Sequence, residues 1–503
     1  MTQLIVCCDG TWNTLEQTDQ GLPAPTNVAK LYNALVKDDQ QLAYYHPGVG
    51  TNGGWIDHMV GGGTGAGLER NIMSAYQWLA LRYREGDRIF LFGFSRGAYT
   101  VRSLGGLLVH SGLLDLSDPA LAPTEVWSRV QAVFDAYRAG QPFANTQGYP
   151  FHGVAPGQPT GGTTGVHFMG VWDTVGALGI PLELSLLRFL GDPRRYQFHD
   201  TRISPMIANA RHAVAIDERR ADFMPTLWTH IQRPGRVRQV WFPGVHADVG
   251  GGYAQAGLSD IALGWMFDEA AACGLRLRGN SRTQLRPDPQ GVLHDSRKGV
   301  FKLGRNQPRG VVRVAAACVQ AGQLHPDALA RQVEPPLAQG DYWPTRTLAA
   351  GEHATLDVFA SPHWNATGLY LEAGVAYRFT ASGEWLDAGT KFSPAGGEVG
   401  SRHLSDVARL AASALGAAEH VFNAATHSDN DFWFTRRLES APWFALVGFV
   451  ANGAGAARGE TFVIGEGTSF TPAAGGYLYA YANDAWQAYA NNHGAVALTV
   501  ARA

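Results

Sequence analysis

From its first residues to about position 335 the chain alternates continuous apolar runs with stretches of helical periodicity. "LIVCCDG" is apolar up to its turn, "NVAKLYNALV" spaces its apolar residues at three- and four-residue intervals, and "ERNIMSAYQWLALRYR" repeats that spacing over a longer span. "RIFLFGF" is again continuously apolar, and "RGAYTVRSLGGLLVHSGLL" returns to helical spacing. Further apolar runs stand at "HFMGVWDTVG", "ARHAVAID" and "VRQVWFPGVH". A strand that is apolar on both faces must be covered on both. The pattern therefore predicts an α/β-hydrolase-like arrangement, a mostly parallel sheet flanked by helices and built in β-α-β order.

Past "LHPDALARQVEPPLAQGDYWP" the period changes. Short alternating runs separated by glycines follow, among them "GLYLEAGVAYRFTAS", "WFALVGFVAN", "GETFVIGEGTSFTP", "GGYLYAYAND" and "GAVALTVARA". Such spacing predicts an antiparallel β-sandwich. One stretch, "SRHLSDVARLAASALGAAEHVFNAA", has helical spacing and predicts a helical insertion near 401–440. The expected division is thus 1–342 for the α/β domain and 343–503 for the sandwich. The length agrees, because 503 residues exceed a single core and domains span roughly 100–250 residues.

Composition narrows the function classes. A formal charge of −3 without any dense Lys/Arg run argues against nucleic acid as a partner. The four cysteines, Cys7, Cys8, Cys273 and Cys318, form no CxxC pair and no zinc spacing, so they read as small apolar residues in a chain made under reducing conditions. The N-terminus enters a strand with no basic region or cleavable apolar segment, and no apolar run reaches about 18 residues. The expectation is synthesis in the cytoplasm without a signal peptide, with any export left to separate machinery.

Candidate chemistry centres on "GFSRG", residues 93–97, where Ser95 sits between a predicted strand and a predicted helix. That context is what gives a GxSxG pattern meaning as a nucleophile turn; the competing reading is a glycine-rich turn that binds phosphate at a helix N-terminus. A serine hydroxyl needs a base and an orienting carboxylate, expected here in the order Ser, Asp, His at successive strand ends. Asp173 in "GVWDTVG" fits the acid, with Asp217 in "AVAIDERR" as its rival. His246 in "GVHADVGGGY" fits the base, and neighbouring Asp248 either bonds that loop's amides or assists the histidine. An oxyanion hole would take one amide from Arg96 and a second from Gly10 or Thr11 in "CCDGTWN". Asp9 in the same motif raises a metal-site reading, but no second carboxylate at suitable spacing accompanies it. The serine chemistry itself calls for no cofactor.

On these motifs residues 3 to about 345 resemble a bacterial and fungal family of α/β-hydrolase-like proteins, mostly uncharacterised, that includes lipase effectors delivered by type VI secretion systems. The resemblance runs in order through "CDGTWN", "TNVAKL", "YHPGVGT", "GFSRGAYTVRSLGG", "GVWDTVGALG", "HAVAIDERR", "VWFPGVHADVGGGY" and "LSDIALGWM". It implies a triad of Ser95, Asp173 and His246, phospholipid or other ester substrates, type VI export, and a secretion-machinery or immunity protein as partner. The tail resembles the galactose-binding, calcium-dependent lectins of the PA-IL type through "GEWLDAGTKFSP" and "YANDAWQAYANNHG". That resemblance implies calcium held by Asp484, Asn491, Asn492 and the carbonyls of Ala388 and Ala488, and a glycan ligand. The segment that grips the sugar in those lectins is replaced or displaced here by the predicted helical insertion. The implied activity is a lipase or phospholipase with a lectin-like targeting domain. The alternatives are a non-lipid esterase or depolymerase, or a non-enzymatic glycan-binding module on a degenerate hydrolase scaffold.

Overall fold

The computed structural model of the chain describes residues 1–10, 13–48, 65–155, 157–175, 202–229, 231, 233, 235–298, 305–397, 436–452 and 459–503. They form two compact units: Met1–Pro308 with Ala315–Tyr342, and Arg309–Val314 with Trp343–Ala503.

In the first unit the strands are β1 (Gln3–Cys8), a short hairpin β2 (Thr18–Asp19) and β3 (Leu22–Pro23), β4 (Gln41–His46), β5 (Arg88–Phe94), β6 (Phe168–Trp172), β7 (Ala210–Ala215) and β8 (Val237–Phe242). The helices that matter below are α1 (Asn27–Ala34), α2 (Gly65–Ala80), α3 (Arg96–Ser111), α4 (Pro123–Arg138), α5 (His246–Gly250) and α6 (Gly257–Ala272). Six strands make one sheet in the order β4-β1-β5-β6-β7-β8, every neighbouring pair parallel. The apolar runs are continuous because each strand feeds two cores. Leu4 and Val6 of β1, with Ile89 and Leu91 of β5, pack against Tyr76 and Leu79 of α2, Val101 and Leu104 of α3, and Val130 of α4. Ile5 and Cys7, with Phe90, Phe92 and Phe94, face Val28 and Leu31 of α1 and Ile261 and Met266 of α6. Cys7 and Cys8 are buried, and all four cysteines are free thiols.

The second unit contains β9 (His353–Phe359), β10 (Asn365–Leu371), β11 (Tyr377–Asp387), β12 (Thr390–Phe392), β13 (Leu446–Ala451), β14 (Glu460–Val463), β15 (Gly467–Phe470), β16 (Gly476–Ala482) and β17 (Asn492–Arg502). One sheet runs β10-β16-β13-β14; the other runs β12-β11-β17-β9, with β15 also on β11, and all pairings are antiparallel. Alternate residues Tyr377, Phe379 and Trp385 of β11 and Val496, Leu498 and Val500 of β17 turn inward onto Leu446, Leu478 and Ala480. This is the two-sheet core that period-2 patterning predicts.

One strip departs from the expected division. Arg309–Val314 belongs with the sandwich, where the Val314 N–H donates to the Tyr477 hydroxyl at 2.8 Å, an oxygen 2.7 Å from Thr345 Oγ1. The expected insertion near 401–440 lies outside the described residues as far as 435. Beyond it, Arg436 makes an isolated bridge to Ala485 and the chain turns into the sandwich. Among the described residues no helix is long and apolar enough to cross a membrane.

Candidate active site

Parallel strands deliver their C-terminal ends to one edge of the sheet, and three predicted residues stand there: Ser95 after β5, Asp173 after β6 and His246 four residues past β8. Ser95 caps α3 with φ 56° and ψ −122°, outside the ordinary regions for a residue with a side chain. The fold holds it there from both sides, since its N–H donates to the Trp172 carbonyl at 3.1 Å and its carbonyl accepts from the Tyr99 N–H at 3.2 Å. The flanking glycines leave no room for anything larger. A Cβ on Gly97 would lie 2.1 Å from the Cys8 carbonyl oxygen, and one on Gly93 would lie 2.4 Å from the Gly97 carbonyl oxygen.

Asp173 is also held at positive φ, 37°, and is fully buried. Its N–H donates to the Ala213 carbonyl at 2.7 Å, while its Oδ1 accepts from the Ala215 N–H at 2.9 Å. Its second oxygen lies 2.6 Å from His246 Nδ1. A carboxylate can only accept, so Nδ1 carries the proton and the Nε2 lone pair is left for chemistry. The imidazole is packed between Phe94, at 4.6 Å between ring centroids, and Phe223, at 5.0 Å edge-on. Burial pushes its pKa below the usual histidine value; the Asp173 hydrogen bond and charge pull the other way, Arg220 adds to the depression, and Glu218 opposes it.

The rival acid is committed elsewhere. Asp217 Oδ2 accepts from the Tyr342 hydroxyl at 2.8 Å and from the Gly244 N–H at 2.7 Å. Asp248 takes the loop-amide role, accepting from the Val245 N–H at 3.0 Å, and its Oδ1 pairs with His294 Nδ1 at 2.6 Å rather than with His246. Two residues of this cluster are not singled out by the sequence pattern. One is His294. The other is Glu218, fully buried, which accepts from the His246 N–H at 3.3 Å, from Ser296 Oγ at 3.0 Å and from the Arg220 guanidinium. Glu218 adjoins Asp217 in "DERR", and a second acidic residue just past a strand is the available signal.

Of the oxyanion candidates, Arg96 opens α3, where backbone amides lack an intrahelical acceptor; burial draws its guanidinium pKa down to about 10. Gly10 packs on the nucleophile, a Cβ there lying 3.2 Å from Ser95 Cβ, and its N–H donates to Asp9 Oδ1 at 2.7 Å. Thr11 lies outside the described residues.

In the second unit the two loops implied as a calcium site are joined. Asn492 Nδ2 donates to Asp484 Oδ2 at 3.0 Å, Asn491 Nδ2 donates to Asp387 Oδ1 at 2.7 Å, and the Ala388 N–H donates to the Asn491 carbonyl at 3.1 Å. Ala388 is held at φ 53°. Ala488 precedes the short turn Tyr489–Asn491 on the same loop as Asp484. Asp387, which the sequence reading passed over within "GEWLDAG", brings a second buried carboxylate. Among the described residues, the buried Asn492 Oδ1 accepts no hydrogen bond.

Comparison with known proteins bears on the first unit. The family described as "T6SS, Phospholipase effector Tle1-like, catalytic domain" matches residues 2–269, more than half of the chain and the whole span of the three residues above. An uncharacterized protein of Saccharomyces cerevisiae is 28% identical over 244 residues, covering 45% of this chain and 32% of the yeast protein. The solved structure of the Tle1 effector bound to the VgrG spike of the type 6 secretion system is 20% identical, with a TM-score of 0.30 over 50% of this chain and 52% of that one. A PllA-like lectin, the N-terminal domain of EclA, is 17% identical with a TM-score of 0.19, covering 30% of this chain and 95% of the lectin. The chain thus spans about a third of the yeast relative's length and about half of the Tle1 chain's.

Proposed function

The chain belongs to the Tle1-like phospholipase effector family of type VI secretion systems, and from that premise we propose that it is a serine-dependent carboxylic ester hydrolase that cleaves acyl esters of membrane phospholipids. Export by a type VI system, with the spike as carrier, is part of the same reading. The observation that carries it is the buried 2.6 Å bond between His246 Nδ1 and Asp173, at the strand edge where Ser95 is held in its strained turn. Two strained non-glycine residues at the ends of adjacent strands are a pattern that accumulates at catalytic sites.

In the proposed mechanism Ser95 Oγ attacks the acyl carbonyl while His246 Nε2 takes its proton. Asp173 keeps the ring in the required tautomer and stabilises the imidazolium. The developing oxyanion is received by the Arg96 amide and by a second amide that we assign to Thr11 rather than to Gly10, whose N–H donates to Asp9. His246 then gives its proton to the departing alcohol oxygen. Water, deprotonated by the same nitrogen, attacks the acyl-serine and releases the acid, restoring Ser95. Labelling the full chain with a fluorophosphonate, and profiling its products on a phospholipid panel, tests the reading. Failure of Ser95 to label would remove the nucleophile, and turnover of short soluble esters without any phospholipid product would move the substrate class.

We further propose that the second unit binds calcium through Asp484, Asn491, Asn492 and the carbonyls of Ala388 and Ala488, with Asp387 as an added carboxylate. The buried, unaccepting Asn492 Oδ1 supports this reading, since a hard cation takes neutral amide oxygens and carboxylates alike. The ion would cross-link the two loops and takes no part in the ester chemistry. A glycan ligand remains part of the proposal on the lectin resemblance.

A further inference from the structure

Asp9 directly follows the first strand, Gln3–Cys8, and has no place in the mechanism above, yet it is 3% exposed and stands against the nucleophile turn. A Cβ on Gly97 would lie 2.5 Å from the Asp9 carbonyl oxygen, and the next residue, Gly10, packs on Ser95. Three donors converge on its carboxylate: the Gly10 N–H on Oδ1, and the hydroxyls of Tyr45 and Thr26 on Oδ2, each at 2.7 Å. Thr26 in turn caps α1, accepting from the Ala29 N–H at 3.1 Å, and bridges Gly251, the residue that ends the helix begun by His246. One carboxylate therefore ties the turn beside Ser95 to the helix that carries the base.

We propose that Asp9 is a positioning residue for ester hydrolysis, its ionised carboxylate fixing the Gly10 turn against Ser95 and linking it through Thr26 to the α5 segment. The inference rests on the ester-hydrolase reading of the site. Three donors around a group that can only accept when ionised are the environment of an anion, because a protonated carboxyl would set its own O–H against one of them. Burial nevertheless pushes the Asp9 pKa up to about 6, against the lowering hydrogen bonds of Tyr45, Thr26 and Gly10, with the Tyr45 bond the largest of the three.

A carboxyl whose folded value is raised contributes stability that is present at low pH and is lost as pH rises through about 6. At neutral pH the ionised carboxylate therefore contributes less stability than its protonated form would. The other titratable groups around it do not share its range. Burial raises the Cys7 and Cys8 thiols and the Tyr45 phenol, so they stay neutral, and Arg96 stays cationic. The imidazole of His46, whose carbonyl accepts from the Asp9 N–H, is pushed below its usual value by burial.

The test uses the full chain, p-nitrophenyl butyrate and kcat measured across pH 4.5–8. In the wild type, loss of activity toward acid should take up two protons, one on His246 and one on Asp9. Asp9→Asn should lower kcat at pH 7.5 by about tenfold or more with KM within about twofold, as expected when a reacting geometry is loosened. Its acid limb should become a one-proton limb. Tyr45→Phe removes a donor that holds the Asp9 carboxyl down and should move the limb to higher pH while leaving the alkaline plateau nearly intact. Wild-type kcat and profile in Asp9→Asn would overturn this inference alone. So would an Asp9→Asn loss matched by its loss of folded protein together with an unmoved limb in Tyr45→Phe. Absence of wild-type hydrolysis of both this ester and the phospholipid panel would overturn the hydrolase reading and this inference with it.

Discussion

At the scale of single residues, the roles proposed for Ser95, His246 and Asp173 separate cleanly in experiment. Ser95→Ala removes one hydroxyl from a turn held by backbone bonds, so folding should be unchanged while ester hydrolysis falls by roughly 10⁴-fold or more, as triad members act as a unit. Fluorophosphonate labelling should vanish with it, and a purified variant that still turns over would dispose of the mechanism. Asp173→Asn should cost turnover on the order of 10⁴-fold by reversing the tautomer preference of His246. Asp217→Asn should instead leave turnover near that of the wild type and lower stability by about 1–2 kcal/mol, because its bonds run to Tyr342 and Gly244. The opposite ordering would hand the acid role to Asp217. The histidine also sets a pH dependence. Its active form is neutral and burial lowers its folded pKa, so activity should hold as pH falls past the ordinary histidine value of about 6.5 and fail only below it. An acid limb that begins well above neutrality would contradict this arrangement.

At the scale of elements, the turn between β5 and α3 is a steric solution as much as a chemical one. Gly97→Ala would set a methyl group 2.1 Å from the Cys8 carbonyl oxygen, and backbone cannot step aside as a flexible side chain does. The expected result is a stability loss of about 1–3 kcal/mol with turnover down by about a hundredfold, read by thermal melting and steady-state kinetics on one preparation. A variant that kept wild-type values in both would show that this turn tolerates the shift. The elements themselves were legible in the sequence because burial on two faces leaves continuous apolar runs, as in "RIFLFGF", and burial on one face leaves alternation, as in "YRFTASGEWLD". The strand-end positions of the candidates Ser95 and His246 were legible for the same reason, each standing just past such a run. The choice between Asp173 and Asp217 was not, since both end apolar strands and only the packing of side chains across strands separates them. Glu218, His294 and Asp387 were hidden for a related reason. Their partners lie far along the chain, Ser296 being 78 residues from Glu218, Asp248 46 from His294 and Asn491 104 from Asp387. No local period marks such pairs.

At the scale of the whole molecule, each unit has its own core, so a perturbation of the sandwich should be readable without touching the ester chemistry. The lectin resemblance supplies one carboxylate to the proposed calcium site. The fold adds Asp387, held within hydrogen-bonding distance of Asn491 on the facing loop. Affinity in oxygen-ligand sites rises with the number of charged ligands, so binding should be tighter than a single carboxylate and neutral oxygens would give. An ion that binds only the folded sandwich stabilises it by mass action, by about 2.7 kcal/mol when free calcium is a hundred times the dissociation constant. Calorimetry on the full chain should therefore show a melting transition that rises with calcium and falls with a chelator. Asp484→Ala should abolish that response, and Asp387→Asn should weaken it by shifting the calcium dependence to higher concentration, while fluorophosphonate labelling of Ser95 stays at the wild-type rate in both. If the full chain melts identically in calcium and in chelator, the amide-to-carboxylate bonds of Asn491 and Asn492 are the finished state of those loops and no cation completes them. If Asp387→Asn alone leaves the calcium response unchanged, the second carboxylate serves only to hold Asn491, and the site keeps the single charge that the sequence implied.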